Sequence, residues 1–372
     1  MTRFVPADAD LMREALALAQ QAIGLSEPNP RVGCVIAAAD GRVIGRGSTQ
    51  QAGGAHAEVM ALQDARERGE NLRGASAYVT LEPCSHHGQT PPCCDALIAA
   101  GLSRVVSAVQ DPNPLVAGRG VERLRAAGIA VEVGLLDDEA REVNIGFFSR
   151  MLRGLPWVRV KAAVSVDGRS ALSNGLSQWI TGEVARRDGH VWRKRASALL
   201  TGVGTVLADN PRLDVRLVAT ARQPLRVIVD SRLQTPLDAR ILDAAGNALI
   251  YTAEPGAPRI ALLRDRGVEV VPVRGASGQV DLSAMLQDLA AREINELHVE
   301  AGPRLNGSFA HEGLVDEWLV YMSPKLIGIG KDLASFGPLH ELQQVLALRF
   351  HSVERVGDDL RLLLRGADAA AW

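Results

Sequence analysis

Aromatic side chains are scarce in this sequence, and so is excess charge. Phe, Trp and Tyr make up 4% of the 372 residues, which weighs against an enzyme acting on nucleic-acid bases, because an extruded base needs stacking partners. The formal net charge of −2 gives no support to non-specific nucleic-acid binding. No apolar run is long enough for a membrane span, and residues 1–10 lack the apolar segment of a secretory signal.

Cysteine is also rare. Its four positions all lie within the first 94 residues, at Cys34, Cys84, Cys93 and Cys94. This clustering favours a local metal site in a reducing compartment over a disulfide framework, so we expect a cytoplasmic protein. With 47% apolar residues, the chain is long enough to form two domains, each with its own core.

The densest group of chemically active residues lies in three short segments, namely His56-Ala57-Glu58, Glu82-Pro83-Cys84 and Pro91-Pro92-Cys93-Cys94. An imidazole and two thiolates can hold zinc in three positions of a tetrahedron and leave the fourth to water, whose pKa then falls to roughly 7. Glu58 can carry protons without coordinating the metal. This order of residues is that of zinc deaminases, which remove an amino group from a ring carbon. The match is to a variant, because eight residues separate Cys84 from Cys93 where the usual pattern has Cys-x-x-Cys.

A closed zinc clip without catalysis is the structural alternative. It would need a fourth protein ligand, which His86, His87 or Cys94 can supply. Glu58 beside the histidine would have no use in such a clip. The helical context argues against a chance match, because residues 57–68 are predicted to form a helix with His56 and Glu58 in its first turn. A second helix is predicted at 93–100, between Pro92 and Gly101. Both helix N-termini would face the metal, and their partial positive charge favours thiolates. Adjacent helical residues point about 100° apart, so only one of Cys93 and Cys94 can face the zinc.

The chain alternates between predicted helices and strands in two halves. In the first half we expect helices near 11–22 and at 57–68, 93–100, 121–127 and 137–149, a hairpin at 32–39 and 42–47, and strands at 77–81, 104–109 and 129–133. In the second half we expect helices at 183–194, at 282–291 and after 303, and strands at 157–164, 198–201, 225–229, 248–251, 268–271, 297–300 and 315–322. This pattern predicts α/β sheets covered on both faces.

Three loops in the second half are predicted to follow strands, where ligands bind in open α/β sheets. They span 165–179, 201–211 and 300–308. Glycine allows the backbone to approach a phosphate, so the three together indicate a nucleotide or phosphate ligand, although any one alone is better explained as a turn. None of them is a Gly-x-Gly-x-x-Gly fingerprint. A nearby basic cluster is either a solvated helix face or contributes one phosphate ligand; it comprises Arg186, Arg187, Arg193, Lys194 and Arg195.

Nearly the whole chain resembles the bacterial bifunctional riboflavin-biosynthesis deaminase/reductases. Besides the three metal segments, the resemblance rests on Pro28-Asn29-Pro30 with Val32-Gly33, Thr80 to Gly88, Thr90 to Cys93, Gln110 to Pro114, Ser165 to Arg169, Ser177 to Thr181 and Val299 to Pro303. It implies a cytidine-deaminase-like three-layer α/β/α domain at 1–149, a linker at 150–156, and a dihydrofolate-reductase-like α/β domain at 157–372.

The resemblance also implies two successive reactions. The first removes the 2-amino group of a phosphoribosylamino-pyrimidine as ammonia, and the second uses NADPH to reduce the ribosyl group to a ribityl chain. One Zn²⁺ per chain and NADPH are the implied cofactors. We expect phosphorylated pyrimidines as the small-molecule substrates, no nucleic-acid or membrane partner, and a homo-oligomer, either a dimer or a tetramer.

Site residues follow from the resemblance position by position. The implied metal ligands are His56, Cys84 and Cys93, with Glu58 as proton shuttle. The implied NADPH contacts are Ala163, Trp179, Thr205, Asp209, Ser231 and the loop Gly302, Pro303, Arg304, Leu305, Asn306, Gly307 and Ser308. The implied substrate contacts are Asn29, His86, Asn113, Lys161, Ser177, Arg193, Leu213, Arg216 and Glu300.

Two positions depart from the family pattern. Gly47-Ser48-Thr49 replaces Gly-Tyr-His, and Gln89 stands where lysine or arginine is usual. We expect both to weaken the hold of the deaminase half on a substrate phosphate, unless Arg42 or Arg46 fills that role. Two other functions stay open, a nucleic-acid base deaminase and a zinc-clipped scaffold without turnover. Ammonia release from single-stranded oligonucleotide or from the pyrimidine phosphate would distinguish all three.

Overall fold

A computed structural model describes residues 4–86, 91–114, 116–243, 247–256 and 258–366. The chain divides between Gly154 and Leu155 into two compact units. Unit 1 contains the helices α1 (Pro6–Gln21), α2 (Ala57–Glu67), α3 (Cys93–Ala99), α4 (Arg119–Ala126), α5 (Asp137–Val143) and α6 (Ile145–Arg153). Its strands are β1 (Gly33–Ala37), β2 (Val43–Ser48), β3 (Ser76–Val79), β4 (Arg104–Ser107) and β5 (Ala130–Val133).

The strands of unit 1 form one sheet in the order β2-β1-β3-β4-β5, and β3, β4 and β5 are parallel. A Cβ on Gly33 would lie 1.9 Å from Ala15 O of α1, whereas one on Gly47 would lie 2.1 Å from Ala57 O of α2. Gly47 pairs with Cys34, the residue after Gly33, and successive strand residues face opposite sides. Helices α1 and α2 therefore cover opposite faces, which gives three layers.

Unit 2 contains the helices α7 (Glu183–Arg195), α8 (Val203–Asp209), α9 (Arg259–Asp265), α10 (Leu282–Ala291) and α11 (Pro303–His311). Its strands are β6 (Trp157–Ser165), β7 (Arg169–Leu172), β8 (Ala198–Gly202), β9 (Leu225–Val229), β10 (Ala248–Thr252), β11 (Glu269–Pro272), β12 (Glu296–Val299), β13 (Glu317–Ser323), β14 (Gly330–Asp332), β15 (Leu348–Val356) and β16 (Asp359–Gly366).

Nine strands of unit 2 form one sheet in the order β11-β10-β9-β8-β12-β6-β13-β16-β15, and β7 pairs with β14 separately. The strands from β11 to β13 are parallel, and β16 and β15 continue the sheet in antiparallel fashion. The parallel strands carry apolar residues on both faces, as expected when helices cover both sides; an example is Ala198, Leu199 and Leu200 of β8, each fully buried.

Most predicted elements are present, but several predictions need correction. Residues 203–209, expected as a loop, lie in α8, which begins directly after Gly202. The helix expected after 303 is α11, so the loop expected at 300–308 ends at Gly302. The single helix expected at 137–149 is two helices, separated at Asn144. Helix α6 runs to Arg153 and so occupies part of the segment expected as a linker. Strands β7, β14, β15 and β16 and helix α9 were not predicted.

Candidate functional site

In unit 1, three potential metal ligands meet at the starts of two helices. His56 immediately precedes α2, Cys93 is the first residue of α3, and Cys84 follows β3. Their ligand atoms all lie within 4.8 Å of one another. His56 Nδ1 is 3.2 Å from Cys93 Sγ and 3.6 Å from Cys84 Sγ. Tetrahedral zinc with usual bond lengths separates such atoms by about 3.6–3.8 Å, so the donors fit a zinc ion in type and spacing.

Cys94 points away from this group. Its thiol donates to Pro83 O at 3.3 Å, with Gly120 O at 3.6 Å. Cys93 is therefore the cysteine of the pair that faces the candidate metal position. Among the described residues the group has three ligands and His86 is not one of them, whereas His87 lies outside the described residues. A fourth ligand from Cys94 or His86, as in a closed clip, is not formed.

Glu58 supplies the carboxyl group beside these ligands. It lies in the first turn of α2 and is 4% exposed. Burial, followed by the negative charge of Cys84, raises the pKa of Glu58 to about 7. Hydrogen bonding from Cys93, reinforced by His56, lowers the pKa of Cys84. The site thus combines three ligands for a metal ion that can activate water with a carboxyl group that exchanges protons near neutral pH.

In unit 2, three charged side chains meet at the ends of neighbouring elements. Arg193 of α7 binds the Glu300 carboxylate with both Nε and Nη2, at 2.5 and 2.8 Å. Lys161 Nζ of β6 lies 4.0 Å from Glu300 Oε2. Burial lowers the pKa of Lys161, and although burial opposes ionisation of Glu300, the charges of Arg193 and Lys161 lower the pKa of Glu300 well below its usual range.

Two helix starts come together beside this charged group. Strands β8 and β12 are parallel neighbours, and α8 and α11 begin immediately beyond their carboxyl ends, after Gly202 and Gly302. A Cβ on Gly302 would lie 3.9 Å from Thr205 Oγ1, so the first turns of α8 and α11 are in contact. Backbone amides at helix starts favour phosphate, and these two starts lie at the carboxyl ends of parallel strands, where open α/β sheets bind nucleotides.

Comparison with known proteins assigns both units. Residues 156–362 match the family model for the RibD C-terminal domain, and residues 6–109 match the cytidine and deoxycytidylate deaminase zinc-binding region. The chain is 43% identical over 373 residues to the riboflavin biosynthesis protein RibD of Escherichia coli, covering 97% of this chain and all of that protein. It is 41% identical to RibD of Aquifex aeolicus, covering 96% of this chain and 98% of that protein.

This chain belongs to the RibD family.

Solved structures agree with that assignment. RibD of Acinetobacter baumannii superimposes with a TM-score of 0.89 at 40% identity, covering 97% of this chain and 99% of that one. A deaminase/reductase of Thermotoga maritima superimposes with a TM-score of 0.87 at 35% identity, with the same coverage. The expected fold class is confirmed, with a cytidine-deaminase-like first unit and a RibD reductase second unit. The protein is a bifunctional deaminase/reductase of riboflavin biosynthesis that uses zinc and NADPH.

Within this RibD chain, the predicted deaminase substrate residues lie on loops. Asn113 is on the turn after Asp111, which donates its backbone N–H to Glu82, two residues before Cys84. Burial raises the pKa of Asp111 to about 7. Asn29 precedes β1 in a loop held by a bond from Ser26 Oγ to Asn29 O. His86, just beyond Cys84, is exposed.

The family departures are now partly explained. Thr49 is 4% exposed, and its hydroxyl bonds to the backbone N–H and C=O of Val32, so it serves the strand connection. Arg42 pairs with Glu70 beyond the far end of α2, and Arg46 pairs with Glu14 of α1. Both arginines suggested as substitutes are thus engaged with surface carboxylates. Gln89 lies outside the described residues.

The predicted reductase substrate residues fall into two groups. Around Arg193, its Nη1 donates to Asp214 O, and the neighbouring Leu213 is buried with a φ of +46°. The backbone N–H of Arg216 donates to His190 Nδ1 at 3.1 Å. Ser177 lies in the segment before α7. Trp179, a predicted NADPH contact, lies in the same segment, and the guanidinium of Arg186 stacks 4.5 Å from the centroid of its exposed ring.

Several of the predicted NADPH contacts are engaged with other groups of the protein. Ala163 lies on β6, Asp209 ends α8, and Ser231 follows β9 with its hydroxyl accepting from Val280 N. In the stretch from Gly302 to Ser308, Gly302, Pro303 and Arg304 lie at the start of α11, and Gly302 lies beside Thr205 of α8. Leu305 packs at Gly202, Asn306 donates to Leu333 O, Gly307 fits against Ser335, and Ser308 donates to Arg304 O.

Two histidines near the reductase site escaped the sequence analysis. Besides His190, the fully buried His298 of β12 lies with Nε2 3.4 Å from Glu300 Oε1. Burial lowers the pKa of His190 to about 4, and burial also lowers the pKa of His298, so both are neutral at pH 7. The sequence did contain a pattern that points to His298. Glu296, His298 and Glu300 are spaced two residues apart, as are residues on one face of an extended strand.

No helix among the described residues is long and apolar enough to cross a membrane.

Proposed function

We propose that unit 1 hydrolyses the 2-amino group of 2,5-diamino-6-ribosylamino-4(3H)-pyrimidinone 5′-phosphate. The C2–N bond to the amino group breaks, a C2–O bond forms from water, and ammonia leaves. Unit 2 then reduces the ribosyl side chain with NADPH to give 5-amino-6-ribitylamino-uracil 5′-phosphate. The observation that carries the first step is the convergence of His56, Cys84 and Cys93 within 4.8 Å beside the buried Glu58. The Thermotoga maritima relative bears the names of both activities.

His56, Cys84 and Cys93 are assigned as the protein ligands of zinc. When bound, the ion supplies Lewis acidity that activates water at neutral pH. Glu58 takes a proton from that water on its carboxylate and delivers it to the departing amino nitrogen. Its pKa of about 7 suits both roles, because a group with a pKa near the working pH is available in either protonation state. Asn29, His86 and Asn113 orient the pyrimidine and its arm.

In unit 2 we assign Arg193 and Glu300, with Lys161, Ser177, Leu213 and Arg216, to the substrate. Reduction of the ribosyl group forms a C1′–H bond with the hydride that NADPH supplies when bound and breaks the bond between C1′ and the ring oxygen, which then takes a proton. Lys161 is a suitable proton donor, because burial lowers the pKa of its ammonium and Glu300 holds it at 4.0 Å. The two helix starts hold the cofactor phosphates, with Thr205 and Gly302 nearest their contact; the other assigned contacts are Ala163, Trp179, Asp209, Ser231 and residues 303–308.

A homo-oligomer, a dimer or a tetramer, is supported by the edge of the large sheet. Strand β15 is the last strand in the order, and its Leu348, Phe350 and Val353 are 40%, 65% and 54% exposed. An apolar edge strand of nine residues invites pairing with another chain. We propose that a second copy covers it. Light scattering should show a mass of at least two chains, and Phe350→Glu should reduce it.

Cytoplasmic location is proposed from the chemistry of the metal group. Cys84 and Cys93 must both stay reduced to serve as ligands, and thiols persist in the cytoplasm.

One experiment tests the two activities together. The pyrimidine phosphate is incubated with zinc-loaded protein, with and without NADPH, and the products are weighed by mass spectrometry. Without NADPH we expect a product with oxygen in place of the 2-amino group and one ammonia per substrate. With NADPH we expect a further gain of two hydrogens. Turnover of single-stranded oligonucleotide in its place, or no turnover of either, would refute the assignment.

A further inference from the structure

Arg123 of α4 joins the two segments that carry the candidate zinc ligands. Its Nη1 donates to Ser85 O at 3.1 Å, one residue after Cys84, and its Nη2 lies 2.6 Å from Asp95 Oδ1, in the first turn of the helix that begins at Cys93. The side chain stays 43% exposed despite these contacts. From this position we infer that Arg123 binds the phosphate of the deaminase substrate, an inference that rests on the proposed function.

The helix that carries Arg123 is fixed to the metal segment. The Glu82 carboxylate accepts from the backbone N–H groups of Gly118, Gly120 and Val121 at 2.9–3.1 Å, which satisfies the first turn of α4. Glu82 is two residues from Cys84. The guanidinium therefore has a defined position relative to the metal ligands, as a binding group needs.

The surroundings of the metal group call for a cation. Glu58, Glu82 and Asp111 are buried carboxyl groups there, and Asp95 adds an exposed one. A phosphate monoester carries up to two negative charges, so a guanidinium among these carboxyl groups favours its binding. Three other arginines of unit 1 are committed elsewhere, Arg42 and Arg46 to surface carboxylates and the buried Arg31 to Glu27.

Arg123 retains the hydrogen-bonding capacity that phosphate needs. A guanidinium has five N–H donors, and within the described residues Arg123 uses one toward Ser85 O and one toward Asp95. The remaining N–H groups suit a phosphate oxygen. Asp95 is an exposed competitor for the same guanidinium, and a phosphate can displace it at small cost because exposed ion pairs contribute little.

The test measures KM and kcat for ammonia release with the phosphorylated pyrimidine and with its dephosphorylated riboside. For Arg123→Gln we expect KM to rise about tenfold for the phosphorylated substrate, equivalent to about 1.4 kcal/mol, with little change in kcat and no change for the riboside. Arg123→Lys should recover part of the loss. Asp95→Asn should lower KM for the phosphorylated substrate alone, and added salt should reduce both differences.

The zinc content of each variant shows whether a change in KM comes from weaker binding of the substrate phosphate or from damage to the metal site. An equal rise of KM for both substrates, or loss of zinc with Arg123→Gln, would show a structural clamp and overturn the inference. So would an unchanged KM in Asp95→Asn, which keeps the test decisive if the arginine variants fold poorly. A phosphate-dependent loss in Arg119→Gln but not in Arg123→Gln would place the site at the other arginine. Absence of ammonia release by the unmodified protein would instead refute the proposed function itself.

Discussion

The guanidinium of Arg193 and the carboxylate of Glu300 form a two-bond ion pair, with N–O distances of 2.5 and 2.8 Å. Arg193 is 15% and Glu300 16% exposed, so the pair is largely removed from water. Each charge compensates the other, and Lys161 lies beside them. The three side chains therefore form a charged group that suits the proposed role in binding a polar substrate.

Neutralising Glu300 should damage both stability and reduction. With Glu300→Gln, Arg193 and Lys161 lose their anionic partner, which costs about 1–3 kcal/mol of unfolding free energy for a buried charged hydrogen bond. NADPH oxidation with deaminated substrate should fall at least about tenfold. Ammonia release should stay unchanged. The control is Glu354→Gln, whose carboxylate is 54% exposed beside Arg361 and should contribute less than about 1 kcal/mol. Equal effects in both variants would contradict the prediction.

Glu58→Gln should keep zinc and lose deamination. The Glu58 side chain is not among the three ligand atoms, so metal content should remain one per chain while kcat falls about 10²–10⁴-fold. Metal analysis and an ammonia assay measure the two quantities. Glu67→Gln, on the exposed side of the same helix, provides the control. Loss of zinc in Glu58→Gln would mean that the carboxylate coordinates.

Acid stability of unit 1 should depend on Asp8. A hydrogen bond from Arg104 is the main cause that lowers the pKa of Asp8 to about 2, whereas an unfolded aspartate titrates near 3.9. The folded pKa is the lower one, so this stabilisation is complete above about pH 5 and is lost as pH falls through about 4 to 2.

Urea unfolding from pH 6 to pH 3 measures this loss. Asp8→Asn should flatten the pH dependence by roughly 1 kcal/mol between pH 6 and pH 3. Asp10→Asn removes a carboxylate that is 79% exposed beside Arg13 and should leave the curve unaltered. If the two variants show the same acid profile, the Asp8–Arg104 bond does not have the assigned effect.

Gly120→Ala should weaken zinc binding. A Cβ at Gly120 would lie 2.1 Å from Pro83 O, so the backbone just before Cys84 would have to move. We expect zinc affinity to fall by at least about tenfold, measured by competition with a chromogenic chelator. Gly189→Ala is the control, because its Cβ would meet nothing within 4 Å in α7 and should be neutral or slightly stabilising. Unchanged zinc affinity in Gly120→Ala would show that the Pro83 segment adapts.

Removal of zinc by a chelator should affect unit 1 and leave unit 2 unchanged. Removing zinc from the full chain should lower the unfolding temperature of unit 1, because its three ligand segments are distant in sequence and the metal joins them. NADPH binding by unit 2, followed by fluorescence, should not change, since the units have separate sites. Parallel loss of both would show that the sites depend on one another.

Sequence reasoning located the chemistry better than it located some of the helices. The zinc ligands and Glu58 were predictable because a metal site needs particular side chains at particular spacings. Helix geometry alone left the choice between Cys93 and Cys94 open, the family resemblance selected Cys93, and the bond from Cys94 to Pro83 O shows that the other thiol turns away. The role of Thr49 was equally hidden, because its partner Val32 comes from a different strand connection.

The C-terminal hairpin was missed for a physical reason. Strand β15 has intermediate or exposed residues along its whole length, so its sequence does not alternate between a core face and a solvent face. The helical character of 203–209 was overlooked because its glycines suggested a loop, and for the same reason the loop predicted at 300–308 overlapped the start of α11. At Gly307 the glycine instead allows close packing, since a Cβ there would lie 1.9 Å from Ser335 O.

The central position of β6 has a consequence for synthesis. This strand is the first of its sheet to leave the ribosome, yet its two neighbours are β12 and β13, whose pairing residues lie more than 130 positions later, as in Arg159 with His298 and with Glu317. Such distant pairing makes folding slow, because long loops must close first. Strand β6 emerges directly after a unit that can fold alone, so the nascent reductase half carries an unpaired apolar strand until β13 is made. This interval is when binding by a chaperone matters most for this chain.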